Sequence, residues 1–333
     1  MPNLTFLGKE SFISTGKNYS CHAWRCMVRE FWTGIWMGIL LLTLSGCAVI
    51  EQSKLPAADR PDTQTSFAPQ AAMFPSLKPN PDLYKSLKPS NDRDWSSDQA
   101  VLAQAEIVGD TANIRNIRNC RYRTIDDYDL AYYDKTFDLN KLETVDFIVV
   151  PFNDTPGIAH TMISFGFEGN NYLVTSVEIR KEKGESYNPI KGFLRQYELI
   201  YVLGDERDLI PKYANHYRCE VYVYRSTATP EQSRELFVDV MQRVNKLHDQ
   251  PEFYDTLTNN CTTNIRRHIN HLKPDRVPYD YRVLLPGYSD SLAYDLGLIV
   301  SHGSFEETKQ YAKVNYQAYL FRDDPQFSQK IRR

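Results

Sequence analysis

Hydrophobic and polar positions alternate with period two through the first half of the folded part of this chain, then switch to a helical period. Residues 105–123, AEIVGDTANIRNIRNCRYR, alternate around Gly109-Asp110 and predict a strand or hairpin. VDFIVVPF at 145–152 is an unbroken β-branched run, the pattern of a central strand. HTMISFGF at 160–167 and NYLVTSVEIR at 171–180 flank Glu168-Gly169-Asn170, a turn that joins them as a hairpin. Residues 197–204 and 217–225 supply two more strands, and Cys219 alternates inside the latter as a core residue.

The period then changes. Thr229 is an N-cap, Pro230 takes the first helical position, and Glu231 lies in the first turn. Leu236, Phe237, Val240, Met241, Val244 and Leu247 fall on one helical face that packs on the sheet. A second helix starts near Cys261 behind Asn259 or Asn260, with Ile265, Ile269 and Leu272 on one side. Strands first and helices after predict one α+β domain over residues 95–300, an antiparallel sheet with packed helices. Residues 301–333 form a C-terminal extension whose aromatic end reads as an edge helix or a partner surface.

The N-terminal region reads as an address. Arg29 precedes an apolar run from Phe31 to Leu44, and Ser45-Gly46 lead to Cys47, the layout of a secretory signal. LSGC resembles the bacterial lipobox, which implies cleavage before Cys47 and its lipidation; an uncleaved anchor is the alternative. Met27 is the better initiator, so residues 1–46 are a signal region. Residues 47–94 are rich in Pro, Ser, Asp and Lys, and SLKPNPD recurs as SLKPSND, which predicts a lipidated tether without regular structure. Ala48 after the cysteine points to the outer membrane of a bacterial cell envelope. The expected partners are the membrane, through the lipid anchor, and a lipid, lipoprotein or peptidoglycan substrate.

Composition narrows the chemistry. The 333 residues are 42% hydrophobic, with a net charge of −3, which gives no electrostatic case for nucleic acid. Glycine-rich phosphate loops and paired CxxC spacings are absent, so neither nucleotide cofactor nor zinc is expected. His268 and His271 lack a third ligand nearby. The six cysteines show no disulfide framework spacing.

Cys261 has Asn259-Asn260 before it and Thr262-Thr263 after it, an unusual setting for a space-filling thiol. At a capped helix start, unpaired N–H groups and the helix dipole favour the thiolate and offer an oxyanion site. Such a nucleophile needs an acid/base. Of seven histidines, His22 lies in the signal region, His216, His248 and His302 sit in polar ends or loops, and His271 is remote. His268 is about 10 Å along the helix from Cys261. His160 opens a strand in a hydrophobic hairpin, where a polar imidazole needs a reason: on its own it reads as a core-edge histidine, and paired with Cys261 as the acid/base. On the next strand Ser176 and Glu178 share a face; Glu178 is the expected orienting carboxylate, with Arg180 or Arg207 as its competing partners. Asn260, Thr262 and, on the His160 strand, Ser164 are the expected substrate contacts.

Taken together, RNCRYRTIDDYDLAYYDKTFDL, HTMISFGF, SVEIRKEKGESY, YELIYVLGDERDLI, FYDTLTNNCTTNI and LLPGYSDSLAYDLGLI resemble the Lnb N-terminal periplasmic domain family over roughly residues 115–299. The resemblance implies a permuted papain-like, NlpC-like arrangement with histidine before cysteine, Cys261 as nucleophile and His160 as base. It leaves the third member open. The name-giving enzyme is a lipoprotein N-acyltransferase, but no apolar run after Leu272 here is long enough to cross a bilayer. The expectation is a lipid-tethered cysteine enzyme of acyl transfer or hydrolysis; the alternatives are a peptidoglycan amidase or a non-catalytic envelope lipoprotein.

Overall fold

The computed structural model describes residues 88–332 except 153, 154, 156 and 187; the signal region, Cys47 and most of the tether lie outside the described residues. The strands are β1 (Gln104–Val108), β2 (Thr111–Arg118), β3 (Arg121–Tyr122), β4 (Tyr128–Asp129), β5 (Tyr132–Asp138), β6 (Leu142–Pro151), β7 (Ala159–Phe167), β8 (Asn171–Arg180), β9 (Glu198–Gly204) and β10 (Tyr222–Arg225). The main sheet runs β1–β2–β9–β8–β7–β6–β10, with β5 also paired to β2, while β3 and β4 pair apart. All its ladders are antiparallel except the short β2–β9 contact, Arg118 opposite Gly204.

Helices lie between and after these strands. α1 (Pro189–Phe193) and α2 (Glu206–Pro211) flank β9, and α2 runs on as a π-helical turn, Lys212–His216. α3 (Pro230–Asp249) has a full capping box between Thr229 and Gln232, and its six expected apolar residues are all buried. α4 (Cys261–Leu272) follows, then α5 (Tyr281–Leu284), α6 (Ser289–Asp295), α7 (Phe305–Ala312), α8 (Asn315–Leu320) and α9 (Phe327–Lys330).

The sheet is covered on both faces. On one, Phe165 and Phe167 of β7 pack with Phe237 and Met241 of α3 and Ile265 of α4; the Phe165 and Phe237 rings meet edge-on at 5.1 Å. On the other, Met162 and Val174 pack with Leu209 of α2 and with Val314, Phe327 and Ile331. Every residue of β7 is therefore buried, as a central strand between two helical layers requires.

Some boundaries differ from the sequence pattern. Strand pairing in the first hairpin ends at Arg118, because that side chain turns inward to form a two-pronged ion pair with the buried Asp208 of α2. The expected strand over 217–225 shortens to Tyr222–Arg225; the π-helical turn ends at His216, and residues 217–221 carry no regular structure. At the other end, Asn91 already bonds the carbonyls of Leu247 and His248, and Trp95 is buried. The residues after 300 are packed as well, with Phe327 fully buried.

Candidate active site

The loop before α4 is held by its own polar side chains. Asp255 accepts from the N–H groups of Leu257 and Thr258, each at 2.9 Å. Asn260 is the N-cap: its side chain accepts from Thr263 N at 2.9 Å, Thr263 Oγ1 accepts from Asn260 N at 2.8 Å, and Asn260 Nδ2 donates to the Thr256 carbonyl at 2.6 Å. The first intrahelical bond runs from Asn264 N to the Asn260 carbonyl. The N–H groups of Cys261 and Thr262 thus precede it, and Cys261 itself is 6% exposed.

Thr262 Oγ1 lies 3.0 Å from Thr161 Oγ1 on β7, tying the helix start to the strand beside His160. The imidazole and the thiol meet there. Burial pushes the Cys261 thiol up, but the hydrogen bond and charge of His160, with help from Thr161, outweigh it and hold the thiol at about 7.

His160 Nε2 lies 2.7 Å from Ser176 Oγ, and that hydroxyl donates to Glu178 Oε1, also at 2.7 Å. A serine has one proton to give. With it pointed at the carboxylate, the Ser176 oxygen accepts from Nε2–H, which leaves Nδ1 as the basic nitrogen. The geometry follows from register: Met162 pairs with Ser176, and His160 and Glu178, two residues outward on each strand, share that face. Glu178 Oε2 is held by Gln99 Nε2 at 3.2 Å. Burial raises its pKa, but the charges of Lys212, Arg118 and His160 prevail and bring it down to about 2.

Two expectations need correction. Glu178 does not touch the imidazole; Ser176 stands between them. It pairs with neither expected arginine, as Arg180 bonds the Gln99 and Ala100 carbonyls and Arg207 bonds Asp205. Ser164 does not border the Cys261 cleft: it is fully buried further along β7, where it donates to Glu206 Oε1 at 2.5 Å. Asn260 borders the cleft, but its amide is engaged by the backbone; Thr262 faces the other side of α4.

Cys261, His160 and Glu178 open on a cleft of about 360 Å³ walled by Tyr213, Tyr217, Tyr254 and Leu284. The Tyr213 ring stands 5.5 Å from that of His160, and Lys212, mostly buried, lies beside Glu178. Lys212 and Tyr213 come from the π-helical turn, which the strand pattern concealed. A second, mainly apolar groove of about 610 Å³ runs along α4 from Thr262 to Leu272, against Phe147, Ile163 and Leu292. The other histidines among the described residues lie elsewhere; His268 joins Asp239 at 2.6 Å to Tyr201 at 2.9 Å. Among the described residues no group of three His, Cys, Asp or Glu side chains is placed to hold a metal ion, and no helix is long and apolar enough to cross a membrane.

Residues 128–287 match the family described as the Lnb N-terminal periplasmic domain, a span that contains His160, Ser176, Glu178 and Cys261. The matched span, from β4 to the turn after α5, is similar to a periplasmic domain, which suggests a place in the cell envelope. No curated protein and no solved structure matches the chain.

Proposed function

We propose that the chain is a cysteine-dependent acyltransferase or hydrolase of the bacterial envelope, working through a thioester on Cys261. The observation that carries this reading is the ordered series Cys261, His160, Ser176, Glu178 at the start of a capped helix. Its His-before-Cys order supports the permuted papain-like, NlpC-like arrangement.

His160 Nδ1 takes the thiol proton, and the sulfur attacks the carbonyl carbon of an ester or amide. The N–H groups of Cys261 and Thr262 receive the negative charge that develops on the carbonyl oxygen. As the tetrahedral species collapses, the carbon–oxygen or carbon–nitrogen bond breaks and His160 returns its proton to the leaving group. The acyl–sulfur bond is then broken by an amine or by water, which loses its proton to the same imidazole. Ser176 and Glu178 hold the ring in register and stabilise its cationic form.

The mainly apolar groove on the other side of α4 supports an apolar ligand for this domain, a lipid or lipoprotein acyl group rather than the peptide of the cell wall, although it shares no lining residue with the Cys261 cleft. The lipobox-like Leu44-Ser45-Gly46-Cys47 supports a lipid anchor on the periplasmic side, with Ala48 favouring the outer membrane.

The test is a full-length comparison of the native chain and Cys261→Ala on phospholipid vesicles, a lipopeptide and purified peptidoglycan. Acyl release or transfer that vanishes with Cys261, with an acyl adduct on that residue by mass spectrometry, is expected. Full activity of Cys261→Ala would refute the mechanism, and cleavage of peptidoglycan alone would replace its substrate.

A further inference from the structure

We infer that the exposed face formed by α4, the turn after it and α5 is a docking surface for an anionic lipid bilayer. Four cations, Arg266, Arg267, Lys273 and Arg276, lie in the stretch 266–276, with Asp275 as its sole acid; His271 beside them is paired with Asp239 of α3. Among the described residues none of the four has a carboxylate within ion-pair distance. Arg266 Nε donates to the Val277 carbonyl at 3.0 Å, Arg267 to Asn264 Oδ1 at 2.9 Å, and Arg276 to the Leu296 carbonyl at 2.8 Å. Their charge is left for an external partner, unlike that of Arg243, which grips Glu252 with both prongs.

Apolar tips stand among these cations. Tyr279 is 80% exposed with the Arg266 guanidinium 4.8 Å above its ring, and Tyr281 is 64% exposed. Leu272 and Leu284 are exposed beside them. Guanidinium and ammonium groups among tyrosines and leucines match the boundary between headgroups and acyl chains: the cations meet phosphates while the aromatic and aliphatic tips enter the apolar edge. A soluble polyanion would satisfy the charges and leave Leu272 and Leu284 in water, so the bilayer is the better fit.

The location has a consequence for access. Arg266, Arg267, His271, Tyr279 and Leu284 line one open hollow of about 1160 Å³, and Leu284 also walls the Cys261 cleft. Docking on this face brings the Leu284 wall of the cleft to the lipid surface. This inference stands on charge and exposure and does not depend on Cys261 being a nucleophile.

Full-length protein is offered neutral phosphatidylcholine vesicles and vesicles containing about 30% phosphatidylglycerol; the ratio of uptake is read, because the N-terminal apolar segment contributes to both. The expected result is a preference for the anionic vesicles that falls roughly thirtyfold in Arg267→Gln/Lys273→Gln, two exposed positions, and collapses at high salt. Hydrogen exchange is expected to slow in residues 266–284 when anionic vesicles are added, and Tyr279→Ser is expected to weaken that protection. Equal uptake by both vesicles without protection there would overturn the inference, as would protection of this face by peptidoglycan fragments and not by lipid.

Discussion

The imidazole of His160 meets the hydroxyl of Ser176, its Nε2 lying 2.7 Å from Oγ, and reaches the charge of Glu178 only through that hydroxyl. The serine is a positioning residue: it fixes the tautomer and passes the carboxylate's influence to the ring.

Ser176→Ala removes this link without adding volume. It is expected to lower turnover by up to about a hundredfold while leaving the fold intact, because a misaligned base loses rate quickly. Ser176→Thr keeps a hydroxyl and is expected to retain more activity than alanine. His160→Ala is expected to cost about 10²–10⁴-fold. Steady-state rates set beside thermal melts check the order; equal activity of Ser176→Ala and the native chain would remove serine from the relay.

Alkylation of Cys261 is expected to rise with pH around a midpoint of about 7. With His160→Ala, burial is opposed only by the hydrogen bonds of Thr161 and the midpoint is expected to move upward. Cys120, fully buried against Asp208 and pushed up to about 12, is expected to stay unlabelled in the native state. Peptide mapping after brief iodoacetamide treatment across pH 5–10 reads both.

Glu178 titrates lower folded, at about 2, than unfolded, near the ordinary 4.5. Its contribution to stability is therefore fully present above the unfolded value and is lost as pH falls toward the folded one. Denaturant melts from pH 6 to 2.5 are expected to show this loss, and Glu178→Gln to make the acid limb shallower. An unchanged acid limb in that variant would contradict the assignment.

Gly287 bears directly on the strand that carries His160. Its N–H donates to the Gly157 carbonyl at 2.9 Å, and a Cβ there would sit 2.8 Å from Gly157 backbone atoms, which have no flexible end to yield. Gly287→Ala is expected to destabilise by about 1–3 kcal/mol. It is also expected to slow thiol chemistry by shifting the turn three residues before His160, whereas Gly109→Ala, at a turn remote from the site, is expected to leave the thiol unaffected. Alkylation rates at pH 7 separate the two.

Much of the frame was legible in the chain because it rests on local rules. The β-branched run at 145–152, the Glu168-Gly169-Asn170 turn and the Thr229 cap announce β6, the β7–β8 hairpin and α3 through backbone preference and side-chain period. The Asn260 cap and Cys261 at the helix start are local in the same way. That Cys261 meets His160, a hundred residues earlier, is set by how α4 lies on β7, through contacts such as Thr161 with Thr262.

The sequence by itself determined the β7–β8 hairpin, the start of α3 and the capped start of α4, since capping, turn chemistry and apolar period act within a few residues. Only the tertiary structure decided that Ser176 and not Glu178 touches the imidazole, that Ser164 is bound to Glu206, and that Lys212 and Tyr213 reach the cleft from a π-helical turn. Those outcomes depend on strand register and layer packing, where a shift of one residue reverses the face a side chain occupies, and no local pattern encodes the partner across the gap.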